Sequence, residues 1–98
     1  MKITKIKNGN TLTIMVDGKL DTTTAPELYN EQNKALIDVN ILVFDFSNLE
    51  YISSAGLRAL LSFQKAMDKQ GSMVIRGVNS DVMEIFDITG FSDILTME

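Results

Sequence analysis

The amino-acid sequence predicts a mixed α/β domain. Segments with the two-residue apolar period of a β-strand alternate along the chain with segments that have the period of about 3.6 residues typical of an α-helix. Residues 41–46 are almost continuously apolar, which is typical of a central strand covered on both faces. The chain has 98 residues and no linker, internal repeat or low-complexity tract, so we expect one domain over residues 1–98.

The first two strands are predicted to form a hairpin. Apolar residues alternate with polar ones in residues 11–17, and isoleucines stand among lysines in residues 2–7. Between these segments, Asn8 and Gly9 form a dipeptide that favours a tight turn, because both residues tolerate a positive φ. Residues 18–21 are then expected to lead out of the sheet.

Two helices are predicted in the middle of the chain. Thr24 and Glu27 fit a capping box, which would open a first helix of about three turns. A second helix is predicted over residues 54–70, because helical spacing gathers its polar side chains into one stripe and leaves the remaining surface apolar. The stripe consists of Arg58, Ser62, Lys65 and Lys69.

The remaining elements complete the expected order β-β-α-β-α-β-α. A strand over residues 72–76 follows the second helix, so its crossover from the preceding strand should be parallel. Asn79 or Ser80 is expected to cap a third helix that ends at Gly90, and residues 91–96 are expected to form a last edge segment. The prediction is a mixed sheet of four to five strands packed against three or four helices.

Composition excludes several classes of function. The chain has no cysteine and no histidine, so disulfides, thiolate metal sites and the commonest general base are absent, and we expect neither a metal nor a cofactor. The formal net charge of −4 argues against nucleic-acid binding. No stretch is apolar for long enough to be a signal peptide or to span a bilayer, so a cytoplasmic protein without membrane insertion is expected.

The segment with the strongest functional indication joins the central strand to the second helix. Asp45 stands near the end of the strand, and Ser53 and Ser54 immediately precede the helix. A serine there can cap the unpaired amides of the first turn, which is a purely structural interpretation. Asp45 can likewise have a structural role by accepting hydrogen bonds from loop amides.

The order of motifs resembles the anti-sigma factor antagonists of the STAS superfamily (sulfate transporter and anti-sigma factor antagonist domains). The resemblance covers essentially the whole chain. It rests on three groups of residues: Asp45-Phe46-Ser47 followed by Ile52-Ser53-Ser54-Ala55-Gly56-Leu57; Gly18-Lys19-Leu20-Asp21 followed by Thr24-Ala25; and Phe86 followed by Gly90-Phe91. It implies a single STAS domain without catalytic residues.

The resemblance implies a bacterial switch protein. In that family, a partner that is both anti-sigma factor and ATP-dependent serine kinase phosphorylates one serine. The unphosphorylated antagonist captures this partner and frees a sigma factor, and a phosphatase resets the phosphorylated form. Alignment through Gly56 and Leu57 assigns the phosphorylated residue to Ser54. Ser53 is the alternative, because it stands where many members carry aspartate.

The predicted partner-binding residues fall in two segments of the chain. They are Asp21, Thr22, Thr23, Ser53, Ser54, Gly56, Leu57 and Arg58. For the first segment, the alternative is helix capping and solvation of a loop. For Arg58, the alternative is an ordinary solvated surface arginine.

Two other functions remain open at this point. The chain can be a STAS accessory subunit of a membrane transport or other signalling complex that docks without phosphorylation. It can also be a hydrolase with Ser54 as nucleophile, although no histidine is present to activate that hydroxyl.

Overall fold

The structure is a computed structural model that describes all residues, Met1–Glu98. The strands are β1 (Lys2–Asn8), β2 (Thr11–Leu20), β3 (Ile41–Asp45), β4 (Leu49–Ile52) and β5 (Ser72–Arg76). The helices are α1 (Ala25–Asn30), α2 (Gln32–Ala35), α3 (Ser54–Asp68) and α4 (Ser80–Thr89). None of these helices has the length and apolar character that are needed to cross a membrane.

The strands form a mixed five-stranded sheet, as predicted. Four strands follow the order β1-β2-β3-β5, and β4 pairs with the end of β2. β1 and β2 form the expected antiparallel hairpin, in which Gly9 has a φ of 62°. β3 pairs with β5 in parallel, which confirms the predicted crossover through α3.

β2 changes its partner along its length. Its first half pairs with β3, and from Gly18 to Leu20 it pairs with β4, with an irregularity between Gly18 and Lys19. Gly18 has a φ of 97°, a backbone conformation that favours glycine. The prediction that residues 18–21 leave the sheet is therefore wrong as far as Leu20. The sequence did not reveal β4, because its four residues are too few to show a period.

One cluster of 23 buried apolar residues forms the core, and no polar or charged residue is buried. The rings of Phe44 and Phe63 meet edge to face with centroids 5.2 Å apart, which joins β3 to α3. The expectation that the central strand is covered on both faces is wrong. Val43 is only half-buried and lies outside the core cluster, and Ile41 is 46% exposed, because the helices cover one face of this part of the sheet.

The first predicted helix is divided into α1 and α2. The break falls at Glu31, between Asn30 and Asn33, both of which are weak helix formers. The predicted capping box is also wrong. The Thr24 side chain makes no capping hydrogen bond, and the backbone of Thr24 is already in the α-helical conformation. The amides of Thr23 and Thr24 donate hydrogen bonds to the side chain of Asp21 instead.

The C-terminal region follows the prediction more closely. The Asn79 side chain caps α4, and Gly90 ends the helix with a φ of 80°. Residues 91–96 were expected to form an edge segment, but Phe91–Asp93 is a 3-10 turn. An isolated parallel bridge between Ile75 and Met97 is the one pairing of this region with the sheet.

Candidate functional site

The two predicted site segments meet at one end of the sheet. β2 and β4 are parallel and end side by side at Leu20 and Ile52. The backbone amide of Ser53 donates a 2.9 Å hydrogen bond to the carbonyl oxygen of Leu20. The loop after β2 and the first turn of α3 are therefore neighbours, although more than thirty residues separate them in the sequence.

The two serines at the start of α3 have different environments. Ser53 is the N-cap of the helix, and its side-chain oxygen accepts a hydrogen bond of 3.4 Å from the amide of Gly56. Ser54 is the first helical residue and is exposed. Its hydroxyl makes no hydrogen bond with the rest of the chain. The structural role that the sequence allowed for both serines thus belongs to Ser53.

Gly56 and Leu57 are buried. A Cβ atom added at Gly56 would lie 2.7 Å from Cγ1 of Ile52 and 2.8 Å from the carbonyl oxygen of Leu20. Glycine is therefore needed for α3 to approach the ends of β2 and β4. Gly56 and Leu57 were predicted to contact a partner, but their side-chain positions face the interior, and the structure gives them a packing role.

Asp21 organises the loop between β2 and α1. Its Oδ1 atom accepts hydrogen bonds from the Thr23 amide at 3.0 Å, the Thr23 hydroxyl at 2.7 Å and the Thr24 amide at 3.1 Å. The bond from the Thr23 hydroxyl is the main reason that the pKa of the Asp21 carboxyl lies below its ordinary value. Thr22 is exposed and its side chain makes no hydrogen bond. Within residues 21–23, Thr22 is therefore the one side chain that makes no hydrogen bond within the chain.

Arg58 lies one helical turn after Ser54 and is also exposed. It forms no ion pair with any carboxylate of the chain. Residues four apart on a helix lie on the same face, so a guanidinium group and the Ser54 hydroxyl share one surface. The sequence-based grouping of Ser54 with Arg58 is reproduced in space.

A groove beside this surface was not predicted from the sequence. It lies between α1 and α3 and has a volume of about 470 Å³, and we call it the α1–α3 groove. Its lining includes Thr22, Ala25, Pro26, Tyr29, Ala55 and Arg58. An exposed tyrosine at position 29 was the available indication, but helical spacing alone also suits a buried tyrosine, and the sequence could not show which elements would flank it.

Asp45 has the structural role that the sequence favoured. Its Oδ1 atom accepts hydrogen bonds from the Ser47 hydroxyl at 2.6 Å and the Ser47 amide at 3.0 Å. Arg76 on β5 lies 3.5 Å from Oδ2. The Ser47 hydrogen bonds, and to a smaller extent Arg76, hold the pKa of the Asp45 carboxyl below its ordinary value. Asp45 therefore fixes the turn that leads from β3 into β4.

Comparison with known proteins decides the family. A family model described as the STAS domain matches residues 2–98. BtrV of Bordetella bronchiseptica, a protein assigned as an anti-sigma factor antagonist, is 35% identical over 97 residues, and the match covers 96% of this chain and 83% of BtrV. The chain belongs to the STAS family of anti-sigma factor antagonists. This family is regulatory and not enzymatic, which confirms the prediction that the protein is not an enzyme.

Other relatives of this STAS domain agree. The anti-sigma-B factor antagonist of Listeria monocytogenes is 26% identical, and the match covers 96% of this chain and 84% of that protein. Among solved structures, an anti-sigma factor antagonist from Mycobacterium paratuberculosis has a TM-score of 0.87 at 21% identity, with 98% of this chain and 83% of that chain covered. Unphosphorylated SpoIIAA has a TM-score of 0.78 at 16% identity, with 99% and 87% covered. These structural similarities confirm the fold.

Proposed function

We propose that this anti-sigma factor antagonist is a switch controlled by phosphorylation of Ser54. The unphosphorylated form binds an anti-sigma factor that is also a serine kinase, and a sigma factor is thereby released. The observation that carries the proposal is the exposed Ser54 hydroxyl, which has no hydrogen-bond partner, at the start of a helix anchored in the core. Because the Ser53 hydroxyl is occupied as a cap, Ser54 is the serine that a kinase can use without disturbing the helix.

The position suits a charge-based switch. A phosphate adds about 1.5 to 2 negative charges and three acceptor oxygens. At the N-terminus of α3 these charges are tolerated, because the helix dipole stabilises an anion there by about 0.3–1 kcal/mol. Against a partner that covers this surface, a poorly compensated charge opposes binding, and a thousandfold loss of affinity requires only about 4 kcal/mol. Phosphorylation is thus expected to change binding and leave the fold intact.

Two solved structures support, by analogy, the expectation that phosphorylation leaves the fold intact. The phosphorylated form of SpoIIAA, a Bacillus cell fate determinant, matches this chain with a TM-score of 0.77, compared with 0.78 for the unphosphorylated form. The same fold is therefore present in both forms of that protein. For this chain, we propose a cycle of phosphorylation and dephosphorylation in the cytoplasm, in which a phosphatase removes the phosphate from Ser54.

Phosphate transfer tests the assignment of the serine. The protein is incubated with a purified candidate kinase and ATP, and its intact mass is measured before and after. The wild type and Ser53→Ala are expected to gain one phosphate, whereas Ser54→Ala gains none. Modification of Ser54→Ala to the same extent would contradict the assignment. An accessory subunit that docks without phosphorylation would gain no phosphate in any of the three proteins.

A further inference from the structure

We propose that the α1–α3 groove is the specificity pocket for the partner, and that it takes an apolar side chain with a carboxylate close to it. This inference rests on the proposed function, because it names the chemistry that the anti-sigma factor must present beside Ser54. Four of the groove-lining residues are hydrophobic. Among them, Tyr29 is the large side chain that is exposed to solvent, at 56%. Among the other lining residues, Arg58 is the one charged side chain, and it forms no ion pair within the chain.

The groove exists because small side chains face each other across the two helices. Ala25 on α1 and Ala59 on α3 are buried at 4% and 3% exposure and form part of the groove lining. Side chains as short as these let the helices pack closely and leave the space above them open to solvent. Pro26 and Tyr29 then present apolar surface on the α1 side of that space. An apolar side chain that enters the groove is thus removed from water on both flanks.

Charge indicates the second part of the occupant. Arg58 is the one charged residue that lines the groove, in a chain with a formal net charge of −4. A cation without an internal counter-ion at the rim of an apolar groove is complementary to a carboxylate on the incoming molecule, and arginine can hold a carboxylate with two parallel hydrogen bonds. The groove therefore favours an acidic partner segment over a basic one.

The groove is continuous with the proposed phosphorylation site. Ala55 lines the groove and is the neighbour of Ser54, and Arg58 is one turn further along the same helix face. A phosphate on Ser54 would compete with the partner's carboxylate for the guanidinium group of Arg58. Phosphorylation would then weaken the complex in two ways. It would add an anion to the interface, and it would engage the guanidinium group of Arg58 that otherwise binds the partner. Arg58 thus couples the modification to the groove.

Matched variants test the groove against the cognate anti-sigma factor kinase, by calorimetric titration of unphosphorylated protein. Tyr29→Ala and Arg58→Gln are expected to weaken binding at least tenfold. Ile37→Ala and Lys65→Gln are the controls: Ile37 is 60% exposed and Lys65 is exposed further along α3, and neither lines the groove. The controls are expected to bind within twofold of the wild type. Circular dichroism verifies that each variant is folded.

The outcomes separate this inference from the proposed function. If the wild type binds the kinase and is phosphorylated on Ser54, but Tyr29→Ala and Arg58→Gln bind as tightly as the wild type, the groove proposal is wrong and the switch stands. If the wild type neither binds nor is phosphorylated, the proposed function itself fails. Loss of a wild-type dimer in Tyr29→Ala, seen by sedimentation, would instead assign the groove to a second copy of the chain and overturn the inference.

A double-mutant cycle tests the coupling. The loss of kinase affinity caused by Ser54→Asp is measured in the wild type and in Arg58→Gln. We expect the loss to be at least threefold smaller in Arg58→Gln, because the added anion no longer removes a cation that the partner uses. An equal loss in the two backgrounds would show that Arg58 does not couple the modification to the groove.

Discussion

The backbone amide of Ser53 donates a 2.9 Å hydrogen bond to the carbonyl oxygen of Leu20, which ties the start of α3 to the end of β2. This bond continues the pairing of β2 with β4 by one residue. It brings the loop that Asp21 organises next to Ser54, so residues from distant parts of the sequence form one surface. Substitutions at these residues and at those that support them test how that surface is built and what it does.

The two serines are expected to differ in their effect on stability. Ser53→Ala removes the N-cap acceptor for the Gly56 amide and should lower the free energy of unfolding by about 1 kcal/mol. Ser54→Ala removes an exposed hydroxyl without a partner and should change it by less than about 0.5 kcal/mol. Urea unfolding of both variants measures the difference. A larger loss for Ser54→Ala would contradict the assignment of the cap.

Gly56→Ala is expected to destabilise the protein by about 1–3 kcal/mol, because the new methyl group would collide with Ile52 and the Leu20 carbonyl oxygen. Intrinsic helix propensity predicts the opposite sign, since alanine is favoured over glycine by about 1 kcal/mol inside a helix. Thermal unfolding decides between them. Lys65→Ala, at an exposed position of α3, is the control and should be nearly neutral. A more stable Gly56→Ala would refute the close approach.

Asp45 is expected to make stability depend on acid pH. Its pKa is lower in the folded protein than in the unfolded chain, so the unfolded state takes up its proton first as the pH falls. The stabilisation is complete at neutral pH and is lost as the pH falls below about 4. Asp45→Asn should therefore cost about 1 kcal/mol at pH 7 and less at pH 3. An equal difference at both values would show that the Asp45 charge does not contribute.

Asn79 joins α4 to β4 and is expected to stabilise the fold through two hydrogen bonds. Its side-chain oxygen accepts from the Val82 amide at 2.8 Å, and its side-chain nitrogen donates to the Leu49 carbonyl at 2.8 Å. Asn79→Ala should cost about 2 kcal/mol. Asn79→Asp keeps the cap and loses the donor, so its cost should be smaller. If chemical denaturation gave equal costs for the two variants, the cap on the Val82 amide, which only Asn79→Ala removes, would have no measurable role.

Local patterns predicted the parts of the fold that depend on local chemistry. The Asn8-Gly9 turn, the amphipathic α3, the Asn79 cap and the Gly90 end are all set by neighbouring residues and were recognised in the sequence. The four-residue β4 was missed, because it is stabilised by pairing with β2 and not by its own pattern.

The candidate site was predicted only in part, because the sequence shows helical spacing but does not show how separate elements pack. Ser54 and Arg58 lie four residues apart, so helical geometry alone placed them on one face. The buried positions of Gly56 and Leu57 depend on how α3 meets Leu20, and the α1–α3 groove depends on how two separate helices pack. These are tertiary relationships that one-dimensional periodicity does not contain.

The most direct test of the switch is the affinity of the protein for its anti-sigma factor kinase before and after phosphorylation of Ser54. We expect the unphosphorylated protein and Ser54→Ala to bind equally well. The stoichiometrically phosphorylated protein, still folded by circular dichroism, should bind at least a hundredfold more weakly, which corresponds to about 2.7 kcal/mol. Equal affinity of the phosphorylated and unphosphorylated forms would contradict the account.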